Sequence, residues 1–291
     1  MMKQTEYSRI IAGAMTWGQW GKGFGSDEIS DLIAYCSDIG LTTFDHADIY
    51  GGYTTEADFG AGFLRSGVPR EKVQFISKCG IQFDSEKRPN VVKHYDYTKA
   101  YIIWSVEQSL KNLQTEYLDL LLLHRPSPLM EPDEISEAIA SLTKDGKIKS
   151  FGVSNFLPSQ IALLETSVAV SANQVEFSLT SNEVMYNGIL DDCRAKNRMA
   201  MSWSPLGSYF KEGTTKEKRI EKAMRPLLEK YNVSADQLLL AWILKHPAQV
   251  RPVVGTATKS RLKDALMAME IDLELQDWFL LLEASQGCEV P

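Results

Sequence analysis

The chain has 291 residues, of which 44% are hydrophobic and 24% charged, and its formal net charge is −7. This composition suits a globular protein with a substantial core, and the acidic balance disfavours nucleic-acid and anionic-membrane partners, which attract clustered Lys and Arg. No apolar run approaches the ~20 residues of a membrane helix, and residues 1–9 lack the apolar stretch of a signal peptide. The sequence therefore predicts a soluble, cytoplasmic protein.

The cysteines favour reduced thiols over a metal or redox motif. Four are present, and they are widely spaced with no C-x-x-C: Cys36, Cys79, Cys193 and Cys288. This spacing predicts neither a zinc knuckle nor a redox pair. We therefore expect free thiols, as in most cytosolic proteins.

Short β-branched or leucine-rich runs alternate with segments of helical period along the whole chain, which is typical of βα units and a parallel sheet. The predicted strands lie at Arg9–Gly13, Thr42–Ala47, Val73–Lys78, Leu118–His124, Ile148–Ser154, Ala172–Ser178, Met199–Ser204 and Arg251–Gly255. Helices are expected from Ser26 as N-cap to Gly40, from Thr55, and over Thr98–Leu113, Pro132–Gly146, from Pro158, Asn182–Lys196, Lys216–His246, Ser260–Met269 and Leu275–Ala284.

Eight such units favour a closed (β/α)8 barrel over an open doubly wound sheet, which usually has five or six strands. No internal repeat, low-complexity tract or Pro/Gly-rich linker divides the chain. A single domain over residues 1–291 is therefore expected.

Four residues with proton-transfer chemistry lie at or just past the ends of predicted strands: Asp45, Tyr50, Lys78 and His124. In a barrel of parallel strands these ends share the face where active sites lie. A lysine that ends an apolar run is rarely buried without a partner, so an ion pair with Asp45 is expected. Beside Tyr50, the ammonium would lower the phenol pKa and make Tyr50 a usable general acid.

A second enzyme class stays open, a metal-dependent barrel hydrolase or isomerase. Its ligands would come from several strand ends: Asp45, His46, His124 and Glu176. Lys78 argues against this class, because its ammonium would repel a bound cation. His46 either supports the site or points away from it.

The chain resembles the aldo-keto reductase superfamily over nearly its whole length, through motifs that occur in the family's order. They are Gly13–Trp17, Asp45–Gly51, Lys78, Leu118–His124, Gly152–Phe156, Asn173–Glu176, Ser204–Gly207 and Val254–Thr256. Asp45–Tyr53, Ser77–Gly80 and His124–Pro126 look most like the YdhF-like subgroup of bacterial oxidoreductases. The resemblance implies a dinucleotide site without a Rossmann fold, and no strand-linked G-x-G-x-x-G is present.

The resemblance implies reduction of aldehydes or ketones with NADPH, and it leaves NADH open. Tyr50 would donate a proton to the carbonyl oxygen, Asp45 and Lys78 would tune Tyr50, and His124 would orient the carbonyl. Some superfamily members are nicotinamide-sensing regulatory subunits, so a sensor with little turnover is the alternative.

The resemblance also implies cofactor-binding residues. Ser154, Asn155 and Gln174 would hydrogen-bond the carboxamide, and Trp203 would stack on the nicotinamide. Arg261 would meet the adenosine 2′-phosphate, for which its planar guanidinium is suited, unless Lys259, Arg261 and Lys263 form a solvated helix face. The other expected contacts are Thr16, Trp17, Asp45, Ser204, Pro205, Leu206, Gly207, Gly255 and Thr256.

The expected substrate is a small carbonyl compound. Aromatic residues after the first and second strands, together with the catalytic histidine, are predicted to line its pocket: Trp17, Trp20, Tyr53 and His124. A monomer is the default expectation, because no unsatisfied apolar stripe is evident.

Overall fold

The computed structural model describes residues 7–211 and 213–290. Eight parallel strands within these ranges close into a barrel: β1 Ile11–Gly13, β2 Thr43–Asp45, β3 Gln74–Cys79, β4 Leu120–Leu123, β5 Phe151–Ser154, β6 Ala172–Glu176, β7 Met199–Trp203 and β8 Arg251–Val254. Consecutive strands are neighbours, and β8 pairs with β1 through Val253 and Ile11. The predicted (β/α)8 barrel is confirmed. The expected domain limits and the signal-peptide argument also concern residues 1–6, 212 or 291, which lie outside the described residues.

Helices follow the strands and cover the outside of the barrel. They span Ser26–Asp38, Tyr50–Tyr53, Thr55–Ser66, Lys99–Leu113, Pro132–Lys144, Pro158–Leu164, Ile189–Ala195, Thr215–Tyr231, Ala235–Leu244, Lys259–Met267 and Leu275–Gln286. A small antiparallel hairpin that the sequence did not predict pairs Ile81–Gln82 with His94–Tyr95 beyond the end of β3. Within the described ranges, no helix is both long and apolar enough to cross a bilayer.

Two helix boundaries differ from the predictions for local reasons. The first helix is capped by Gly25 rather than Ser26, and the Gly25 N–H donates to the Glu28 carboxylate at 2.8 Å. The helix expected over Asn182–Lys196 is interrupted. Gly188, with a left-handed φ of +83°, separates a 3₁₀ turn at Glu183–Met185 from the α-helix that begins at Ile189.

The core has one layer inside the barrel and others between the barrel and the helices. The inner layer consists of apolar side chains from six strands: Ile11, Ile76, Leu120, Leu122, Ala172, Met201 and Val253. Phe44 and Phe75 belong to an outer layer, and their ring centroids are 6.3 Å apart. Because side chains alternate along a strand, consecutive residues at a strand end fall on opposite faces of the wall. This alternation decides which polar residues can meet inside the barrel.

Candidate active site

Asp45 and Lys78 form a buried ion pair where β2 and β3 end. Lys78 Nζ lies 2.7 Å from Asp45 Oδ2, and the two side chains are 1% and 3% exposed. Gln174 Nε2 donates to the other carboxylate oxygen at 2.8 Å. The predicted pair is therefore present, with both carboxylate oxygens satisfied.

The Lys78 ammonium also reaches Tyr50. Nζ is 3.1 Å from the Tyr50 hydroxyl and donates to the His46 carbonyl oxygen at 2.8 Å, so its three protons have three acceptors. Burial lowers the pKa of Lys78, but Asp45 and Tyr50 outweigh burial, and the net pKa is raised. Lys78 is therefore a cation at neutral pH.

The pKa of Tyr50 shifts in the direction opposite to the one predicted. Burial of the phenol raises its pKa, and the Lys78 ammonium opposes that rise without cancelling it. The charge of Asp45 adds to the rise. The protonated phenol is thus the resident form at neutral pH, as a proton donor requires.

His124 places a neutral imidazole beside Tyr50. The two ring centroids are 6.2 Å apart with an interplanar angle of 78°. His124 is buried, and its Nδ1 has no hydrogen-bond partner among the described residues. Burial, followed by the charges of Lys78, Arg125 and Lys93, holds the pKa of His124 well below 6.5. A neutral imidazole retains one N–H with which to hydrogen-bond a substrate oxygen.

The predicted carboxamide residues are contiguous at the ends of β5 and β6. Ser154 Oγ and the Asn155 N–H both donate to the Gln174 carbonyl oxygen at 2.9 Å. Asn155 has a left-handed φ of +62°, and its Oδ1 accepts from Trp203 Nε1 at 3.0 Å. The Asn155 amide, which also donates to Ser154 Oγ at 2.8 Å, and the Ser154 hydroxyl therefore meet beside an indole, which suits an amide attached to a flat ring.

The turns after β7 and β8 form a second part of the predicted cofactor site. Thr16 Oγ1 donates to the Gly255 carbonyl oxygen at 2.7 Å, and a Cβ at Gly255 would meet no atom within 4 Å, so the space beside this backbone is open. Thr256 follows in the same segment. Residues from the turn after β7 complete the set: Ser204, Pro205, Leu206 and Gly207.

Arg261 stands in the first turn of the helix Lys259–Met267. It is exposed and forms no hydrogen bond or ion pair with any residue in the described ranges, whereas Lys259 is paired with Asp31. An unpaired guanidinium near a helix N-terminus fits a phosphate group.

Trp17 does not line the pocket, and this prediction was wrong. Its side chain is fully buried in the outer core, where its ring centroid lies 6.0 Å from that of Phe44 and 5.9 Å from that of Phe59. Its backbone N–H and carbonyl are bonded to Ala14 and Phe24. The Trp17 indole therefore cannot contact a cofactor or a substrate in the barrel.

Tyr53 supports the wall of the site instead of facing the substrate. Its ring stacks on Phe83 at a centroid distance of 5.1 Å, and the Arg88 guanidinium lies 3.8 Å from its centroid. Trp20, in contrast, is 47% exposed, and its ring centroid is 6.2 Å from that of Tyr50. Of these two residues, Trp20 is the one whose side chain is exposed beside Tyr50.

The metal-site alternative is contradicted by the position of its ligands. His46 points to the outer face of the barrel, where its ring centroid is 4.2 Å from that of Phe59, and neither ring nitrogen has a hydrogen-bond partner in the part of the chain that the structure describes. Asp45 is engaged by Lys78 and Gln174. Across residues 7–211 and 213–290, no three His, Cys, Asp or Glu side chains are grouped so that they could hold a metal ion.

Arg125 is a site residue that the sequence argument omits. Its Nη1 donates to the His124 carbonyl oxygen at 2.7 Å and lies 3.3 Å from Ser154 Oγ. Its guanidinium carbon is 5.7 Å from the centroid of the Trp203 ring. Arg125 directly follows the predicted strand Leu118–His124, so the criterion that selected Lys78 and His124 would also have selected it.

Comparison with known proteins gives full-length matches. A profile described as the Aldo/keto reductase family matches residues 9–285. The uncharacterized oxidoreductase YcsN of Bacillus subtilis is 39% identical, with 100% of this chain and 98% of YcsN covered. Oxidoreductase YdhF of Escherichia coli is 38% identical, with 98% and 96% covered. A 6-dehydroglucose reductase of Agrobacterium fabrum is 37% identical over the same shares of each chain.

Solved structures agree on the fold. The glycerol dehydrogenase AKR11B4 from Gluconobacter oxydans superimposes with a TM-score of 0.85 at 21% identity, covering 98% of this chain and 94% of that one. The profile match and the three relatives confirm the resemblance that the sequence motifs indicated, including its similarity to YdhF. The chain therefore belongs to the aldo/keto reductase family of oxidoreductases.

Proposed function

We propose that this protein reduces aldehydes or ketones to alcohols with NADPH, and that Tyr50 is the general acid. Family membership supports the reaction class. The observation that carries the finer assignment is the network in which Lys78 Nζ contacts both Asp45 Oδ2 and the Tyr50 hydroxyl. Burying an ammonium costs several kcal/mol, and apolar residues would fill the same space without that cost. A buried, hydrogen-bonded phenol and cation at the strand ends therefore favour a catalytic role.

Proton transfer in the proposed reaction uses Tyr50, Lys78 and His124. When bound, the nicotinamide cofactor supplies the hydride that forms the new C–H bond at the carbonyl carbon. Tyr50 donates its proton to the carbonyl oxygen as the C=O π bond breaks, and Lys78, 3.1 Å away, stabilises the resulting phenolate. The N–H of neutral His124 donates to the same oxygen and orients it. Asp45 holds the ammonium in place, and Gln174 holds Asp45.

The residues present fit a nicotinamide dinucleotide. Ser154 and Asn155 would hold the carboxamide with Gln174, and Trp203 would lie against the ring. Arg261 supports NADPH over NADH, because its guanidinium is free to meet the 2′-phosphate that only NADPH carries.

The test compares the wild type with Tyr50→Phe by following NADPH absorbance with aromatic aldehydes, aliphatic aldehydes and ketones. Because 6-dehydroglucose is named as the substrate of a similar enzyme, a sugar aldehyde belongs in the panel. Tyr50→Phe should lower kcat by about 10²- to 10⁴-fold, the usual contribution of a general acid. Its NADPH affinity, measured by fluorescence titration, should stay within about threefold of the wild type, because the phenol is not a proposed cofactor contact.

Tyr53→Phe is the matched control, since it removes a nearby phenol that does not contact Lys78, and its kcat should match that of the wild type. Undiminished turnover in Tyr50→Phe would remove Tyr50 from the mechanism. A wild type that binds NADPH and is idle on every carbonyl would favour the cofactor-sensing alternative. Titration with NADH in parallel tests the cofactor preference directly.

A further inference from the structure

The guanidinium of Arg125 is half-buried beside the reacting centre and has no carboxylate partner in the described part of the chain. Its hydrogen bonds to described residues come only from Nη1, to the His124 carbonyl oxygen and Ser154 Oγ. Nε and Nη2 make none. The N–H groups of Nε and Nη2 point the same way from the planar guanidinium, and together they form an edge that binds a carboxylate through two parallel hydrogen bonds.

The backbone of Arg125 is held at this position by Tyr97. The Tyr97 hydroxyl donates to the Arg125 carbonyl oxygen at 2.6 Å and accepts from the Arg125 N–H at 3.1 Å. Tyr97 reaches this point because Gly80, which follows β3, has no side chain. A Cβ at Gly80 would collide with the Tyr97 ring, and its φ of +112° also favours glycine. The placement of Arg125 is therefore built into the ends of β3 and β4.

The charge of Arg125 is not balanced inside the site. Asp45 and Lys78 neutralise each other, and His124 is neutral. Burial lowers the pKa of Arg125, and Tyr50 is the leading group that opposes the shift, yet a guanidinium remains charged in proteins. Glu176, exposed at the end of β6, acts on Arg125 at a distance and forms no ion pair with it. A bound anion would relieve the cost of this partly buried cation.

We infer that Arg125 selects carbonyl substrates that carry a carboxylate, by binding that group through Nε and Nη2 while Tyr50 and His124 hold the carbonyl oxygen. This inference rests on the proposed function, because it assigns the substrate class of the same site. The Arg125 guanidinium contacts the His124 carbonyl oxygen at 2.7 Å and Ser154 Oγ at 3.3 Å, beside the reacting groups, so the carboxylate and the carbonyl would be separated by a short carbon chain. Short aldehyde acids and keto acids are the class that fits.

The test measures kcat/KM with NADPH for two matched aldehydes, 4-oxobutanoate and its methyl ester, which differ in the negative charge. The wild type should prefer the acid by at least about tenfold, since a charge-assisted bidentate contact is worth that much. Arg125→Met should lower the acid-to-ester ratio at least about tenfold, chiefly by raising KM for the acid. Arg125→Lys, which keeps the charge and loses the planar fork, should fall between them.

Arg225→Met is the control for the loss of one positive charge. Arg225 is 76% exposed on the helix Thr215–Tyr231 and pairs with Glu221, and its removal should leave the ratio unchanged. Equal losses for acid and ester in Arg125→Met would overturn the inference and make Arg125 a positioning residue. A weaker NADPH affinity in Arg125→Met with an unchanged acid-to-ester ratio would also overturn the inference. A wild type with equal kcat/KM for the acid and the ester would overturn it as well.

A wild type that turns over neither aldehyde would count against the proposed function and still leave Arg125 testable. In that case, calorimetry with succinate in the presence of NADP+ supplies a binding readout. Tighter binding of succinate to the wild type than to Arg125→Met, by about tenfold, would support the carboxylate site. Equal affinities would overturn it.

Discussion

The inner and outer faces at the ends of β2 and β3 both carry buried ionisable groups, but among the described residues only those on the inner face form an ion pair. On the inner face, Asp45 and Lys78 are both charged, and each satisfies the other at 2.7 Å. On the outer face, the next residue His46 and the preceding residue Ser77 turn towards the helix Thr55–Ser66. Ser77 Oγ donates to the buried Glu56 carboxyl at 2.6 Å, and Glu56 forms no ion pair with a described residue.

The difference shows that one pair of strands can keep ionisable side chains charged on its inner face and neutral on its outer face. Burial, with a smaller contribution from Lys78, lowers the pKa of His46 to about 3, so the imidazole stays neutral. Burial raises the pKa of Glu56 to about 7. On these two strands, charge is retained where a partner offsets the loss of hydration, and that location is the side of the proposed active site.

Breaking the inner pair should have the largest effect. Lys78→Met leaves Asp45 buried without a counter-ion, which should lower the free energy of unfolding by about 3–5 kcal/mol. It should also lower kcat for carbonyl reduction by about 10²- to 10⁴-fold, because the Tyr50 phenolate loses its stabilising cation. Chemical denaturation and steady-state kinetics measure the two effects separately.

The double variant Asp45→Asn with Lys78→Met separates charge balance from chemistry. It removes the orphaned carboxylate, so it should recover most of the lost stability while its activity stays low. Equal stabilities of the single and double variants would show that Asp45 does not destabilise the fold when Lys78 is absent. Recovery of turnover in the double variant would mean that Lys78 is dispensable to Tyr50.

Glu56→Gln tests whether the buried carboxyl on the outer face lowers stability, and it should give the second largest change in the free energy of unfolding. From about pH 4.5 to 7 the folded protein keeps a proton on Glu56 that the unfolded chain releases, so stability falls as pH rises through this window. A rise in the Glu56 pKa from 4.5 to about 7 corresponds to roughly 3 kcal/mol in the free energy of unfolding. Gln can still accept from Ser77, and the variant should therefore be more stable than the wild type by about 2–3 kcal/mol at about pH 8.

The advantage of Glu56→Gln should shrink towards pH 4.5, where half of the unfolded chains carry the proton, and vanish at lower pH, where the wild-type carboxyl is protonated in both states. Denaturation curves across this range measure the change, with Glu221→Gln, an exposed carboxyl at 59%, as the control. Parallel stability profiles for the wild type and Glu56→Gln would contradict the raised pKa.

His46→Leu should have the smallest effect at neutral pH. It removes two buried nitrogens that make no hydrogen bond to any described residue, which should raise the free energy of unfolding by about 1–2 kcal/mol. Below pH 6.5 the His46 imidazole binds a proton in the unfolded chain, whereas in the folded protein it stays neutral until the pH approaches its lowered pKa of about 3. Wild-type stability therefore falls as the pH drops through this window. The difference in free energy of unfolding between His46→Leu and the wild type should therefore increase towards pH 4.

The kcat of His46→Leu should stay within about threefold of the wild type, because its ring contacts Phe59 on the outer face instead of the reacting groups. A kinetic loss comparable to that of Lys78→Met would place His46 in the mechanism and remove the contrast between the two faces.

Much of the fold and the centre of the site were readable from the residue order. Strand and helix periods are local, so eight units and a barrel could be predicted, and parallel strand ends meet on one face, so Asp45, Lys78 and His124 were expected together. The same reasoning failed for Trp17, which lies near a strand end but is buried against Phe44 and Phe59. It also passed over Arg125, although Arg125 follows His124 directly.

Packing between distant segments settled the rest, since local sequence does not report depth of burial. Asp45 is held by Gln174 across 129 residues of chain, and the net direction of the Tyr50 pKa depends on burial that outweighs Lys78. The free edge of Arg125 likewise exists because Tyr97 and Gly80 place its backbone where no carboxylate pairs with it within the described residues. Residue types and their order predict which groups arrive at the site, whereas solvation and long-range neighbours decide their charge, orientation and availability.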